Sequence, residues 1–297
     1  MELSICIPVY NQDVTSLVYE LHRQVLHTSC AFEILLMDDC STSFYEKNSM
    51  LNALEGVRYV RLSQNVGRAA IRNKLADEAQ YNYLLFMDCD VLPLDDSFLD
   101  RYIRMKRYIV VMGGYRYGEQ PTSDKHILRW KYGKEREEKS AKERSARPND
   151  SFSTFNFMIR KTLFKQIRFD ESLKGYGHED TLFGLSLKRM GITVSHIDNA
   201  LLHLNYDTSD VFLQKSLNAV ANLWLIYQRA EYTEDLVGSI KILRCFRRID
   251  RFGLSSLFAK IYPLVRPSCE KNLLGKHPSL FIFDFYRLSY LCVCSKN

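Results

Sequence analysis

The sequence predicts an α/β fold with a mostly parallel central sheet, flanked by helices and followed by a helical C-terminal region. Three observations support it. Short apolar runs alternate with helix-length patterns through the first half of the 297 residues. Most of the runs are short and continuously apolar, as strands covered on both faces require. Polar residues collect just past the ends of these runs, at Asn11, Asp38 and Asp39, Asn65, Asp88 and Asp90. In an open α/β sheet that edge is where ligands bind.

Each element has its own signal. "LSICIPV" (3–9) predicts a buried strand and 13–28 a helix; "EILLMDD" (33–39) a strand and 44–54 a helix. "VRYVRL" (57–62) and "YLLFMD" (83–88) predict two more strands, separated by a helix over 67–80. "IVVMGGY" (109–115) predicts a further strand. Residues 118–150 break the pattern: "KYGKEREEKSAKERSARPND" is dense in both charges and poor in large apolar groups, so it predicts a mobile loop or an exposed helix, either a solvated insertion or a lid that orders over substrate. Strand pattern resumes in "SFSTFNFMIR" (151–160), and 212–230 has helical spacing. The expected division is a catalytic domain over 1–206 and a helical region over 207–297.

Charge follows the same division. Beyond residue 206 there are 13 Lys and Arg against 8 Asp and Glu, whereas the first 206 residues hold 28 against 27. Lys241, Arg244, Arg248 and Arg251 recur at helical spacing, interleaved with Ile242, Phe246, Ile249 and Phe252. Such a helix can lie on an anionic membrane or pack on its own domain, and the pattern leaves both open. The eight cysteines are scattered without C-x-x-C spacing, which predicts a reduced, cytoplasmic protein and no zinc site. "MELSICIPVYN" lacks the basic flank and apolar region of a signal peptide. No run reaches the roughly 18 apolar residues of a membrane span.

Five stretches carry chemistry. Asp88-Cys89-Asp90 follows an apolar strand, and residues two apart on extended chain face one way. Two carboxylates so placed suit Mg²⁺ or Mn²⁺ carrying a phosphate. "PVYN" (8–11) and "DDCS" (38–41) each end a strand: a carboxylate there can accept a uracil imide N–H and Tyr10 offers an aromatic face, or Asp39 and Ser41 simply cap the next helix. In "NVGRAAIRN" (65–73), Gly67 suits a tight helix entry and Arg72 can reach a pyrophosphate; equally, Arg68 and Arg72 can solubilise one helical face. "GYGHEDTLFG" (175–184) puts Glu179 and Asp180 at a helix start, as dipole partners or as a base for an attacking hydroxyl. His203 ends the apolar run "ALLHLN", structural or metal-ligating.

In this order the motifs resemble the family 2 glycosyltransferases of the GT-A fold, over roughly residues 3–206. The resemblance rests on "PVYN", "DDCS", N-x-G-x-x-x-x-R-N, the strand ending in D-x-D, "FNFMIRK" and "GYGHED". The last is also similar to a segment of galactosyl- and N-acetylgalactosaminyltransferases of the chondroitin-polymerase type. The resemblance implies that Pro8, Tyr10, Asn11, Asp38, Asp39, Gly67, Arg72, Asp88 and Cys89 bind a nucleotide-sugar. Asp90, His203 and Asp88 would hold a divalent cation, Mn or Mg. Asp180 would be the catalytic base, and Glu179, His178 and Asn156 would meet the acceptor. Cys89 departs from the commonest pattern, where another small or acidic residue stands.

The implied activity is metal-dependent inverting transfer from a UDP-sugar to a saccharide or lipid-linked glycan, forming a β-linkage in polysaccharide biosynthesis. The implied place is the cytoplasm, with peripheral membrane contact through 240–297 and no nucleic-acid partner. Two other classes fit parts of the pattern. A nucleotidyltransferase also uses carboxylates and a metal on an α/β sheet. A non-enzymatic protein would use the basic tail to bind nucleic acid or membrane, but gives no reason for acids at strand and helix ends.

Overall fold

A computed structural model of the chain describes residues 2–173, 175–229 and 231–296. The chain divides into two compact units: one comprises Met1–Gly118, Glu137–Ser172 and Glu179–Asn205, the other Glu119–Arg136, Leu173–His178 and Tyr206–Asn297.

The strands of the first unit are β1 (Glu2–Val9), β2 (Ala31–Asp38), β3 (Val57–Arg61), β4 (Tyr83–Met87), β5 (Val91–Pro93), β6 (Val110–Met112), β7 (Tyr115–Tyr117), β8 (Asn156–Arg160), β9 (Ser195–His196) and β10 (Leu201–His203). Seven form one sheet in the order β3-β2-β1-β4-β8-β6-β9. The pairings β3–β2, β2–β1, β1–β4 and β6–β9 are parallel, while β8 runs antiparallel to both neighbours. Strand order reverses direction between β1 and β4, so the crevice beyond their C-terminal ends is the topological switch point.

The helices of this unit are α1 (Thr15–Leu26), α2 (Tyr45–Ser49), α3 (Arg68–Glu78), α4 (Phe98–Arg104), then, beyond α5 (Ile127–Tyr132) of the second unit, α6 (Ala141–Ser145), α7 (Lys161–Ile167) and α8 (Glu179–Arg189). Alternating side chains of each central strand enter opposite cores. Ile5, Ile7, Ile34, Leu36, Leu85 and Met87 pack with Leu17, Val18 and Leu21 of α1. Cys6, Leu35, Met37, Leu84 and Phe86 pack with Ile71 and Leu75 of α3. Both faces are dry, so these strands show no polar alternation in sequence.

The expected strand over 109–115 is two strands. β6 ends at Met112, and Gly113-Gly114 turn the chain out of the large sheet into β7. Gly114 has φ +85°, and a Cβ on Gly113 would stand 2.4 Å from the Asn199 carbonyl oxygen. β7 then joins a small sheet of order β5-β10-β7. The expected solvated insertion over 118–150 is helical in two pieces, with α5 in the second unit and α6 in the first. Ile127 and Leu128 are buried in the one and Arg144 in the other, where it donates to the carbonyls of Gly113 (3.1 Å) and Ile197 (2.7 Å).

The second unit adds α9 (Ser209–Tyr227), α10 (Thr233–Ser239), α11 (Lys241–Arg251), α12 (Ser255–Leu273) and α13 (Leu280–Cys294). Its core joins Leu128, Phe212, Leu217, Tyr262, Leu273 and Phe283. Among the described residues no helix is long and apolar enough to cross a membrane, and all eight cysteines are free thiols.

Candidate active site

Because β1, β2 and β4 are parallel neighbours, the turns after them lie along one edge. Pro8 and Val9 pair with Met37 and Asp38, and the Asp39 amide donates to the Val9 carbonyl at 2.8 Å. Tyr10, just beyond, is 54% exposed. Asn11, in the left-handed region at φ 49°, ties the two turns together. Its amide donates to Ser41 Oγ (2.8 Å), and its Oδ1 accepts from the amides of Thr42 (2.8 Å) and Ser43 (3.1 Å).

The acids at the end of β2 are claimed by the protein. Asp38 is fully buried: Tyr59 Oη donates to Oδ2 at 2.5 Å and the Ser41 amide to Oδ1 at 2.7 Å. Burial, and then Asp38, push the Tyr59 hydroxyl up, so the phenol stays protonated. Asp38 thus shapes the turn from within. Asp39 is 5% exposed and receives the amides of Val66 (2.7 Å) and Gly67 (2.9 Å). It thereby fixes the entry to α3, where Gly67 has φ +87° and open space around a would-be Cβ.

Two further expected site residues are buried. Arg72, expected to face a pyrophosphate, is 2% exposed and donates from Nη2 to Asp88 Oδ1 at 2.5 Å. Burial depresses its pKa, against the pull of Asp88. A buried guanidinium aimed at Asp88 positions that carboxylate. Asn156, expected beside the acceptor, is fully buried in β8. Tyr102 Oη donates to its Oδ1 at 2.6 Å, and its Nδ2 donates to the carbonyls of Gly114 (2.9 Å) and Asn199 (2.8 Å). Its side chain knits β8 to the Gly113-Gly114 turn.

Asp90 and His203 meet because β10 pairs antiparallel with β5, His203 opposite Val91. The Leu204 amide also donates to the Asp90 carbonyl at 2.9 Å. His203 Nε2 stands 3.6 Å from Asp90 Oδ2, and its ring lies nearly parallel to those of Tyr117 and Phe155, with centroids 5.5 and 5.6 Å away. Aromatic neighbours on both sides hold the imidazole in one orientation. Burial lifts the Asp90 carboxyl above its ordinary range, against the attraction of His203. Burial and the two flanking aspartates push the Cys89 thiol up to about 12, so it is uncharged at neutral pH.

At the start of α8, Glu179 is buried and accepts from Arg68 Nε at 2.7 Å. Burial opposes its ionisation, but Arg68 and Arg72 outweigh it and keep the carboxyl below the usual range. Asp180 behaves oppositely. Burial, and then the negative charge of Glu179, push it up to about 7, against a hydrogen bond from the Thr181 amide (2.7 Å) and the attraction of Arg68 and Arg72. Arg68, 40% exposed at its side chain, also acts on Asp90. It thus acts on both the D-x-D turn and the α8 acids, as does Arg72, which is bonded to Asp88. In sequence, the place of Arg68 directly after Gly67, at the helix entry, is the signal that marks it. His178, in the second unit, adopts φ 71°.

Among the described residues no three His, Cys, Asp or Glu side chains gather into a closed metal cage. Asp90 and His203 nonetheless fit a divalent ion: one carboxylate oxygen and one imidazole nitrogen converge, leaving the remaining positions to a ligand's own oxygens. Asp88, drawn to Arg72, stands behind them.

A mixed sheet of this order, with D-x-D at its switch point, is the GT-A scaffold of glycosyltransferases. The chain belongs to glycosyl transferase family 2, whose family model matches residues 4–168. A search of curated proteins finds no match. Among solved structures, S. aureus TarS 1-349 is 18% identical with a TM-score of 0.52, over 100% of this chain and 90% of that one. The same S. aureus protein in complex with UDP-GlcNAc gives 16% and 0.52, over 100% and 91%. The mannosyltransferase PcManGT from Pyrobaculum calidifontis, solved with GDP-Man and Mn²⁺, is 11% identical with a TM-score of 0.58, over 99% and 85%. At these identities the likeness is one of fold.

Proposed function

We propose that this glycosyltransferase moves a hexosyl or N-acetylhexosaminyl group from a UDP-sugar to a hydroxyl of a saccharide or lipid-linked glycan, with inversion. The observation that carries this reading is the link from the Asp90–His203 pair through Arg68 to Glu179 and Asp180. A diphosphate site and a base for a hydroxyl are both required, and here Arg68 and Arg72 act on both. Similarly folded enzymes solved with UDP-GlcNAc and with GDP-Man and Mn²⁺ support a nucleotide-sugar donor.

In this reading Asp90 and His203 hold Mn²⁺ or Mg²⁺, which when bound offsets charge on the departing diphosphate. Arg72 donates to Asp88 and fixes the orientation of that carboxylate in the D-x-D turn. Arg68, partly exposed, adds positive charge beside the leaving group. Asp180, with a pKa near the working pH, takes the proton of the attacking hydroxyl. Arg68 holds Glu179 ionised, and that charge in turn keeps Asp180 basic enough to act. A single displacement from the face opposite the diphosphate turns an α-linked donor into a β-linked product.

The test is a panel of UDP-sugars incubated with the protein and Mn²⁺, with and without saccharide acceptors. Release of UDP with sugar transfer is expected. Release of the sugar 1-phosphate with transfer of UMP would assign the chain to nucleotidyl transfer instead, and no turnover with any sugar would remove the donor assignment.

A further inference from the structure

We propose that the corner between α11 and α12 is a docking face for an anionic lipid bilayer. Arg244, Arg247, Arg248 and Arg251, at i, i+3, i+4 and i+7 on one helical face, line a shallow depression together with Val237. Their own unit neutralises them little. Arg247 pairs with Glu234 at 3.0 Å and Arg244 donates to the Gly238 carbonyl at 2.7 Å. Among the described residues Arg248 and Arg251 meet no carboxylate within ion-pair distance. The neighbouring acid, Asp250, accepts instead from Ser255 Oγ at 2.5 Å.

The apolar side of the face follows at once in the chain. Leu243 and Phe246 turn inward and anchor α11 in its unit. After Arg251, Gly253 at φ +70° turns the chain, leaving Phe252 76%, Leu254 42% and Leu257 50% exposed. Four guanidinium groups beside three protruding apolar side chains match the two layers of an anionic membrane surface, phosphate outside and acyl chain beneath. A nucleic acid would satisfy the arginines but leave Leu254 and Leu257 in water. A second copy of this chain, itself basic in this region, would set like charges against each other.

The face is tested on the full chain by co-sedimentation with phosphatidylcholine vesicles, with and without phosphatidylglycerol. Binding is expected only to the anionic vesicles, and high salt should release it. Arg248→Gln with Arg251→Gln should weaken it about 25-fold, at roughly fivefold per cation. Phe252→Ser with Leu257→Ser should weaken it at low salt by about tenfold or more while leaving the salt dependence unchanged. All four positions are exposed, and circular dichroism of each variant verifies its fold. Equal binding to neutral vesicles, or none to either kind, overturns the proposal. Tighter binding to RNA than to vesicles also overturns it, as does saturation by inorganic phosphate alone, or a dimer that the same substitutions dissociate.

Discussion

At the end of β2, Asp38 and Asp39 are met by Tyr59 Oη and the amides of Ser41, Val66 and Gly67. At the start of α8, Glu179 is met by Arg68, and Asp180 is left with the Thr181 amide and a negative neighbour. The two pairs are the same in sequence, two adjacent acids at an element end. Their donors separate them. Four hydrogen bonds make the first pair a brace for two turns, while burial beside an ionised carboxylate makes Asp180 a group that exchanges protons near neutrality.

The comparison is most severely tested at Asp180. Asp180→Asn is expected to lower kcat by about 10²–10⁴-fold with donor binding retained, as removal of a positioned base does. Asp90→Ala should weaken Mn²⁺-dependent UDP binding by about 100-fold or more, read by calorimetry with and without the metal; the loss of even a supporting partner to a metal ligand costs 10–100-fold. At the brace, Asp38→Ala leaves Tyr59 Oη and the Ser41 amide without their acceptor. It should lower unfolding stability by about 2 kcal/mol in denaturant titrations and leave the activity-versus-pH midpoint in place. The smallest effect is at Arg68. Its charge lowers the Asp180 pKa directly, while Arg72 still holds Glu179 ionised, so Arg68→Gln should move that midpoint upward, by less than about one pH unit.

Much of the fold was legible because the central strands are buried on both faces and read as continuous apolar runs. The D-x-D turn and the α8 acids were legible because strand and helix ends are marked by polar residues after such runs. The small sheet was not. β5 and β10 have three residues each, and the pairing that sets His203 against Asp90 joins segments more than 100 residues apart, beyond any local periodicity. The burial of Arg72 and Asn156 was not legible for a related reason. A polar side chain near a ligand edge and one buried behind it look alike in sequence, and only the partners, Asp88 for one and the Gly113-Gly114 turn for the other, distinguish them. The acidic and basic stretch over 118–150 read as solvated because its few buried side chains, Leu128 and Arg144 among them, are scattered through a charged background.

The most direct measurement is the pH dependence of kcat/KM for sugar transfer, in the wild type and in Asp180→Asn. Asp180 must be ionised to accept a proton, so the wild-type rate should fall tenfold per pH unit below about 7 and level off above it. The variant should show a low rate without that limb. A limb that survives unchanged in the variant, or a variant turning over near the wild-type rate, would contradict the assignment of Asp180 as the base.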